Sequence, residues 1–286
     1  MTQSVLILGA TGMAGHVLAT HLKEKGYSVS TTSRDMFDEH HMYFDVLNYD
    51  SHTLFFSKQK PSVIVNCIGI LVAECQKYPQ NAKSVNSYFP YFLEKFYADS
   101  DTKIIHISTD CVFDGARGSY LDTDTPNETH IYGRSKALGE INNTKDVTLR
   151  TSIIGPERTD RVGANTGLLH WFLSQKPCTQ IHGFSKCLWS GISTLELCDA
   201  VLWAMHSKEA VGIKQISRRI PISKFELLSL ANDVFKKELI ITEDASKVID
   251  KSLIPSQISF EISTTYAQML RDLHTYISKN KDKYPY

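Results

Sequence analysis

The sequence of 286 residues has no excess of charge of either sign, because 31 lysines and arginines balance 31 aspartates and glutamates. This balance argues against a basic surface for nucleic acid and against an acidic tail. The sequence also lacks the run of roughly 20 apolar residues that a membrane-spanning helix needs, and its first residues lack the basic segment of a signal peptide. We therefore expect neither nucleic acid nor a membrane as a partner.

Paired cysteines are lacking as well. The six cysteines stand at positions 67, 75, 111, 178, 187 and 198, and they form no Cys-x-x-Cys pair and have no histidines at zinc-finger spacing. Scattered thiols in a chain of this length are typical of a reduced, cytoplasmic protein, and they predict no metal site. A hydrophobic content of 42% excludes wholesale disorder. The polar tail from Lys279 to Tyr286 is expected to fray.

Short apolar runs alternate with helical patterns over the first half of the chain. Strands are predicted at 4–8, 27–32, 42–44, 62–67, 103–108 and 147–151, and helices at 13–25, 49–58, 81–98 and 132–141. We expect a break or kink at Pro90 in the third helix. Strands that are apolar throughout belong to parallel sheets covered on both faces, and right-handed crossovers make such sheets doubly wound. The fold class is therefore predicted to be α/β and Rossmann-like.

The pattern changes after residue 151. Helices are predicted at 168–173, 193–205, 223–235 and 264–278, with a strand at 212–216. We predict a dinucleotide-binding domain of residues 1–151, to which a segment of about residues 193–216 returns. Residues 152–192 and 217–286 are predicted to form a smaller, C-terminal substrate-binding lobe.

Three glycines follow the first predicted strand and open the first predicted helix. Gly9 allows a tight turn, Gly12 lets the backbone approach a pyrophosphate, and Gly15 lets the helix pack closely on the strand. The helix N-terminus would direct N–H groups at the phosphates. A glycine-rich turn without a ligand is the alternative, but the place of these glycines at the first strand–helix junction favours a dinucleotide site that includes Thr11 and Met13.

The second predicted strand ends where the adenine ribose of a dinucleotide would lie. Arg34, next to Ser33, is placed to pair with a 2′-phosphate, which favours NADP(H) as the cofactor. Asp35 leaves NAD(H) open, and a solvated cation is the alternative for Arg34. The ends of the third and fourth strands add candidate cofactor contacts, namely Asp45, Val46, Cys67, Ile68 and Gly69. Asp45 could instead be a turn residue, and Cys67 a small buried side chain.

Tyr132 and Lys136 lie four residues apart, so a helix places both on one face. A lysine cation near a phenol lowers the phenol pKa from about 10, and such a pair can shuttle a proton near neutral pH. Tyr91 and Lys95 repeat the spacing by chance, but they belong to a helix that covers the sheet. Tyr132 instead follows the fifth strand, which ends at Thr109, where a hydroxyl could donate to a substrate carbonyl.

A set of segments carries a family resemblance. They read GATGMAG at 9–15, NCIG at 66–69, VNSYFP at 85–90, HISTDCVFDG at 106–115 and YGRSKALGE at 132–140, followed by LRTSIIG at 149–155 and, more weakly, WSGIST at 189–194. In these segments the chain resembles the extended short-chain dehydrogenase/reductases, and most of all the dTDP-4-dehydrorhamnose reductase group of nucleotide-sugar 4-ketoreductases. The resemblance implies an NADP(H) domain, a sugar-nucleotide lobe and a homodimer. It also implies a catalytic set of Thr109, Tyr132 and Lys136, with Ser108 as the competitor of Thr109.

The resemblance further implies a reaction. Hydride would pass from the nicotinamide to a ketone carbon, Tyr132 would protonate the oxygen, Thr109 would polarise it, and Lys136 would bind the nicotinamide ribose. No glutamate follows Asp110, which disfavours dehydration of the sugar. Cys111 replaces an aromatic residue usual in the closest reductases. A UDP-linked N-acetyl deoxyhexulose is therefore as plausible a substrate as the dTDP-rhamnose precursor.

Residues next to the catalytic threonine and in the second lobe are candidate substrate contacts: Asp110, Cys111, Val112, Asn165, Lys186 and Trp189. Arg158, Arg161, Arg218 and Arg219 are further cations that could serve a diphosphate. Asn165 could instead cap a helix, Trp189 could simply pack, and Cys111 could be a buried thiol.

Two other functions remain open. An epimerase with tightly held NAD is opposed by Arg34. A non-catalytic NADP-binding subunit, resembling the regulatory subunit of methionine adenosyltransferase, is opposed by the intact catalytic set.

Overall fold

The computed structural model of the protein describes residues 3–158, 167–284 and 286. Its strands are β1 (Ser4–Leu8), β2 (Ser28–Ser33), β3 (Met42–Tyr43), β4 (Val63–Asn66), β5 (Lys103–Thr109), β6 (Val147–Thr151), β7 (Ile153–Ile154), β8 (Gln180–Phe184), β9 (Cys187–Trp189), β10 (Ile192–Ser193), β11 (Gly212–Gln215), β12 (Ile222–Ser223), β13 (Ile240–Asp244) and β14 (Ile249–Asp250). Its α-helices are α1 (Met13–Glu24), α2 (Tyr49–Ser57), α3 (Val72–Lys77), α4 (Pro79–Ala82), α5 (Phe89–Phe96), α6 (Ile131–Leu138), α7 (Leu168–Leu173), α8 (Thr194–His206), α9 (Lys224–Phe235) and α10 (Tyr266–Lys279). A π-helical turn covers Lys83–Tyr88, and a 3₁₀ turn covers Asp110–Val112.

Seven of these strands form one parallel sheet in the order β11-β6-β5-β4-β1-β2-β3. The order reverses between β1 and β4, as it does in doubly wound dinucleotide-binding folds. The predicted Rossmann-like α/β fold class is therefore confirmed. β11 joins β6 at the edge of the sheet, so the chain returns to the sheet after α8.

Helices cover both faces of the sheet, which explains why the central strands are apolar on both sides. On one face α1 and α8 pack against β1, β4 and β5, with Val17, Leu22 and Val201 in the buried cluster. On the other face the aromatic side chains of α2 and α5 pack against Leu8 and its neighbours. α8 begins with a capping box, in which Ser193 and Glu196 satisfy each other's backbone N–H groups.

The region beyond β6 forms a second buried cluster around α7, α9 and α10. Its strands are short and pair across long stretches of chain: β13 with β8, and β12 and β14 with β9. Among the described residues, no helix is both long enough and apolar enough to span a membrane.

The C-terminal tail is packed, so the expected fraying is wrong at its last residues. Tyr284 is only 1% exposed, and its hydroxyl lies 2.6 Å from His16 Nε2. The hydroxyl of Tyr286 lies 2.5 Å from His170 Nδ1. Two tyrosines carry enough apolar surface, and a polar atom each, to hold a tail whose other residues are mostly charged.

Candidate active site

The carboxyl ends of β1, β4 and β5 meet at one edge of the sheet. Leu8 lies opposite Asn66, and Asn66 lies opposite His106. The loops after these strands therefore surround the point where the strand order reverses. In open α/β sheets this is the place where a crevice for a ligand forms.

The glycine-rich loop connects β1 to α1 at this edge. Gly9 has a φ of +77°, a conformation that glycine adopts without strain. The N–H of Gly12 donates to the carbonyl of Gly9 at 3.1 Å and closes the turn. A Cβ at Gly15 would lie 2.3 Å from the Gly9 carbonyl oxygen. The loop therefore requires glycine at both ends, and it exposes the N-terminus of α1 to the cleft.

A cleft runs from this loop across the ends of β2, β3 and β4. Of the predicted cofactor contacts, it is lined by Gly9, Thr11, Gly12, Ser33, Arg34, Asp45, Val46, Cys67, Ile68 and Gly69. Arg34 is exposed at the rim of the cleft, directly after the end of β2. Asp45 also accepts the N–H of Leu47 at 3.0 Å, as a turn residue does. Met13 begins α1 outside the lining residues, and Gly15 lies behind the loop.

Thr109, Tyr132 and Lys136 come together next to the cleft. Thr109 lies close enough to Tyr132 for its side chain to lower the pKa of the phenol. Lys136 is buried, and a Cβ at Gly69 would lie 4.0 Å from its Nζ. Lys136 therefore lies next to the cleft, at the point where Gly69 has no side chain. Thr109 itself donates to Asp110 Oδ1 at 3.1 Å and accepts the N–H of Cys111 at 3.1 Å.

The pKa of Tyr132 departs from its ordinary value in the direction opposite to the one expected. Burial raises it, and the negative charge of Asp110 acts in the same direction, while the Thr109 side chain acts against them. The predicted lowering by Lys136 is therefore wrong for the ligand-free protein, because desolvation of the phenolate dominates. Tyr132 stays a neutral phenol near pH 7, which is the form of an acid.

Burial also decides the states of the neighbouring groups. It lowers the pKa of Lys136 to about 8, with the charge of Glu140 opposing the shift. It raises the pKa of the Cys67 and Cys111 thiols to about 12. These cysteines are therefore protonated and unreactive at neutral pH.

A chain of side-chain contacts connects Thr109 to the second lobe. Trp189 is 5% exposed, and its Nε1 donates to Ser152 Oγ at 2.9 Å. The Ser152 side chain in turn lies close enough to Asp110 to lower the pKa of its carboxyl group. The indole is thus packed and its N–H is used, which matches the packing alternative for Trp189. The chain holds Asp110, and through it Thr109, in place.

Some predicted substrate contacts lie elsewhere. Val112 is buried in a small core cluster with Phe113. Lys186 is exposed in the turn between β8 and β9. Arg218 is buried in an ion pair of 2.5 Å with Glu196. Asn165 and Arg161 lie outside the described residues.

Two lysines that the sequence did not single out face the site. Lys224, at the start of α9, lowers the pKa of Asp110, which burial raises, and Lys251, after β14, lowers the pKa of the Cys111 thiol, which burial also raises. Lys251 also pairs with Glu128 at 2.7 Å. No local pattern marks either residue, because each reaches the site from more than 100 positions away along the chain.

Residues 2–160 match the family described as the RmlD substrate binding domain, which is more than half of the chain. The chain belongs to this family. A dTDP-4-dehydrorhamnose reductase of Mycolicibacterium smegmatis is 36% identical over 151 residues, covering 49% of this chain and 41% of the relative. The family resemblance expected from the sequence motifs is thereby confirmed.

Two further similar proteins differ in what their names say. The crystal structure of a dTDP-4-dehydrorhamnose reductase from Bacillus anthracis, in complex with NADP, has a TM-score of 0.79 at 18% identity, covering 96% of this chain and 99% of that one. The methionine adenosyltransferase 2 subunit beta of Xenopus tropicalis is 27% identical, covering 52% of this chain and 46% of the relative. The chain thus aligns with about half the length of its curated relatives, and the structural likeness shows the fold.

Proposed function

We propose that this RmlD-family chain reduces the 4-keto group of a nucleotide-activated 6-deoxyhexulose with NADPH, in the synthesis of a polysaccharide precursor. The observation that carries the proposal is that the cleft lies next to the catalytic candidates. Gly69 lines the cleft, and a Cβ built on Gly69 would lie 4.0 Å from Lys136 Nζ. A dinucleotide in the cleft would therefore end beside Thr109 and Tyr132.

The cleft residues fit NADP(H). The glycine-rich loop and the N-terminus of α1 would hold the pyrophosphate, because they offer backbone N–H groups without side chains. The exposed Arg34 at the end of β2 would pair with the 2′-phosphate, and Asp45 and Val46 would border the adenine. Lys136 would bind the hydroxyls of the nicotinamide ribose. Bound NADPH supplies the hydride for reduction.

The chain's own residues supply the proton. Tyr132 is a neutral phenol at neutral pH, so it transfers its proton to the ketone oxygen as the carbon is reduced. Thr109 holds that oxygen when its hydroxyl leaves Asp110 for the substrate. The phenolate that remains takes a proton from solvent after the alcohol leaves, which completes the cycle.

The class of nucleotide sugar that the site binds is a second, more detailed part of the proposal. Asp110 and Cys111 border Thr109, while Lys224 and Lys251 place positive charge nearby. This charge suits the diphosphate of a sugar nucleotide. A dTDP-4-dehydrorhamnose-like sugar and a UDP-linked N-acetyl deoxyhexulose both fit this description.

The test is NADPH consumption by the purified protein with dTDP- and UDP-linked 4-keto-6-deoxyhexoses. We expect turnover with one of these nucleotides, and a loss of about 10²- to 10⁴-fold in Tyr132→Phe. Tyr91→Phe is the matched control, because Tyr91 shares the Tyr-x-x-x-Lys spacing but is exposed on α5. Stoichiometric consumption of NADPH would also exclude an epimerase. Equal loss in both variants would contradict the role of Tyr132.

A second candidate is a non-catalytic NADP-binding subunit. The match to the methionine adenosyltransferase subunit favours it. In that case the protein would bind NADP(H) without turnover of any sugar and would co-purify with a methionine adenosyltransferase catalytic subunit. A homodimer stays a prediction, which light scattering of the purified protein would test.

A further inference from the structure

Three buried polar side chains form a line that ends at Lys136 of the candidate catalytic set. Asn66 ends β4, His106 lies opposite it on β5, and Lys136 lies on α6; Asn66 and His106 are completely buried and Lys136 is 5% exposed. Asn66 Nδ2 lies 3.1 Å from His106 Nδ1, and His106 Nε2 lies 3.4 Å from Lys136 Nζ. Buried polar atoms this close must match donor with acceptor.

The backbone fixes the direction of this line. The N–H of Ile68 can only donate, and it lies 3.1 Å from the amide oxygen of Asn66. The other end of the Asn66 amide is therefore its NH₂ group, which donates to Nδ1 of His106. A ring that accepts at Nδ1 and is neutral carries its proton on Nε2. Burial is the main cause that lowers the pKa of His106 well below its usual value, so the ring is neutral.

His106 thus presents an N–H group, and not a lone pair, to Lys136. Lys136 Nζ also donates to the carbonyl of Ile107 at 2.7 Å. A neutral amine can donate to this carbonyl and accept from His106 through its lone pair. An ammonium has no lone pair and would meet the His106 N–H as a second donor.

We propose that Asn66 and His106 are positioning residues that favour the neutral amine of Lys136 over its ammonium until a dinucleotide binds. The proposal rests on the proposed function only for what Lys136 then does. On meeting the ribose hydroxyls and the anionic phosphates, Lys136 would turn away from His106, and a neutral amine would take up one proton from solvent. The loaded site would then favour the ammonium that the ligand-free site disfavours.

The other groups around Lys136 do not remove this effect. Glu140, two residues past the end of α6, favours the ammonium, as do the thiols of Cys67 and Cys75 if ionised. Burial raises the pKa of both thiols, to about 12 for Cys67, so they are neutral. Glu140 is engaged by Arg150 at 2.6 Å, which weakens its pull on Lys136.

The first test needs neither ligand nor activity. Nitrogen NMR of the ligand-free protein labelled with [¹⁵N]histidine distinguishes the two neutral tautomers from the imidazolium. We expect the Nε2–H tautomer for His106 at neutral pH. His52 is an internal reference, because its Nε2 lies 2.9 Å from the carbonyl of Val46 and must carry a proton. An Nδ1–H tautomer or an imidazolium at His106 would overturn the proposal.

Asn66→Asp reverses the direction of the hydrogen bond between residue 66 and His106 and leaves the shape of the side chain almost unchanged. A carboxylate accepts from Ile68 and also from His106, so His106 must carry its proton on Nδ1 and offer a lone pair to Lys136. We expect His106 to change tautomer while His52 does not. Asn66→Leu removes the donor without adding charge, and it should also release the Nε2–H preference. An unchanged His106 signal in a folded variant would contradict the argument.

Calorimetry then tests the proton uptake. NADP⁺ is titrated at about pH 9 in two buffers of different ionisation enthalpy, where a lysine with a pKa near 8 is mostly neutral. We expect uptake that approaches one proton in the natural protein and little uptake in Lys136→Arg, whose side chain is always charged. Binding without uptake would refute the proposal. Absence of NADP⁺ binding would instead refute the proposed cofactor, while the NMR result would still decide the state of His106.

Discussion

The most costly single change outside the catalytic set should be the removal of Arg150. Its side chain is completely buried, and it holds Glu140 with two bonds of 2.9 and 2.6 Å. It also donates to Gln215 at 3.4 Å and lies over the ring of Phe113. Ser108 donates to the same carboxylate at 2.7 Å. This network joins β5, β6 and β11 to the end of α6.

Arg150→Met leaves the Glu140 carboxylate buried without its cation. Breaking such a pair from one side costs about 3–5 kcal/mol, a large share of the roughly 5–15 kcal/mol that stabilises a folded domain. Replacing both partners, as Arg150→Met with Glu140→Leu, removes the lone charge. The double variant should then be more stable than Arg150→Met, although Ser108 and Gln215 each lose one hydrogen bond to a charged group.

Urea unfolding measures both values, with the slope of the transition unchanged. Arg117→Met is the matched control: Arg117 pairs with Asp124, but its side chain is 58% exposed, so its loss should leave the unfolding midpoint near that of the natural protein. A cost below about 1 kcal/mol for Arg150→Met, or a double variant less stable than the single one, would refute the reasoning.

Three further predictions concern separate parts of the molecule. Arg34→Ala should lower the preference for NADPH over NADH by about 10- to 100-fold, because a charge-assisted bond to the 2′-phosphate is lost; binding titrations with both nucleotides measure this, and an unchanged preference would remove Arg34 from the site. Tyr284→Phe should cost about 1–2 kcal/mol of unfolding free energy through its buried bond to His16, whereas no loss in urea would mean that the tail is not anchored. Ser193→Ala should cost about 1 kcal/mol at the capping box of α8, and an unchanged urea midpoint would count against that cap.

Features that depend on neighbouring residues could be predicted from the sequence. The strand–turn–helix around Gly9 follows from a short apolar run and a glycine spacing, both of which act within 15 residues. The start of the helix predicted at 193–205 is equally local, because Ser193 and Glu196 form its capping box. The doubly wound class of the sheet followed from the right-handed crossover rule, which needs only the sequence of elements.

Features that depend on distant residues could not. Lys251 reaches Glu128 across 123 positions, and β13 pairs with β8 about as remotely as any strands of the chain. The break expected at Pro90 takes the form of a π-helical turn over Lys83–Tyr88, just before the proline. The chain then continues as α5, in whose first turn Pro90 needs no N–H partner. The pKa of Tyr132 went in the unexpected direction because spacing reports which charges are near but not how deeply they are buried.

The central claim is that this chain moves a hydride from NADPH to C4 of a nucleotide-linked sugar while Tyr132 supplies the proton. The most direct measurement is the fate of deuterium from NADPH labelled at C4 of its nicotinamide. The account predicts one deuterium at C4 of the sugar product, followed by mass spectrometry and NMR, and incorporation that is slower by about 10²- to 10⁴-fold with Tyr132→Phe. Tight binding of NADPH with no deuterium in any dTDP- or UDP-linked 4-keto sugar would contradict it.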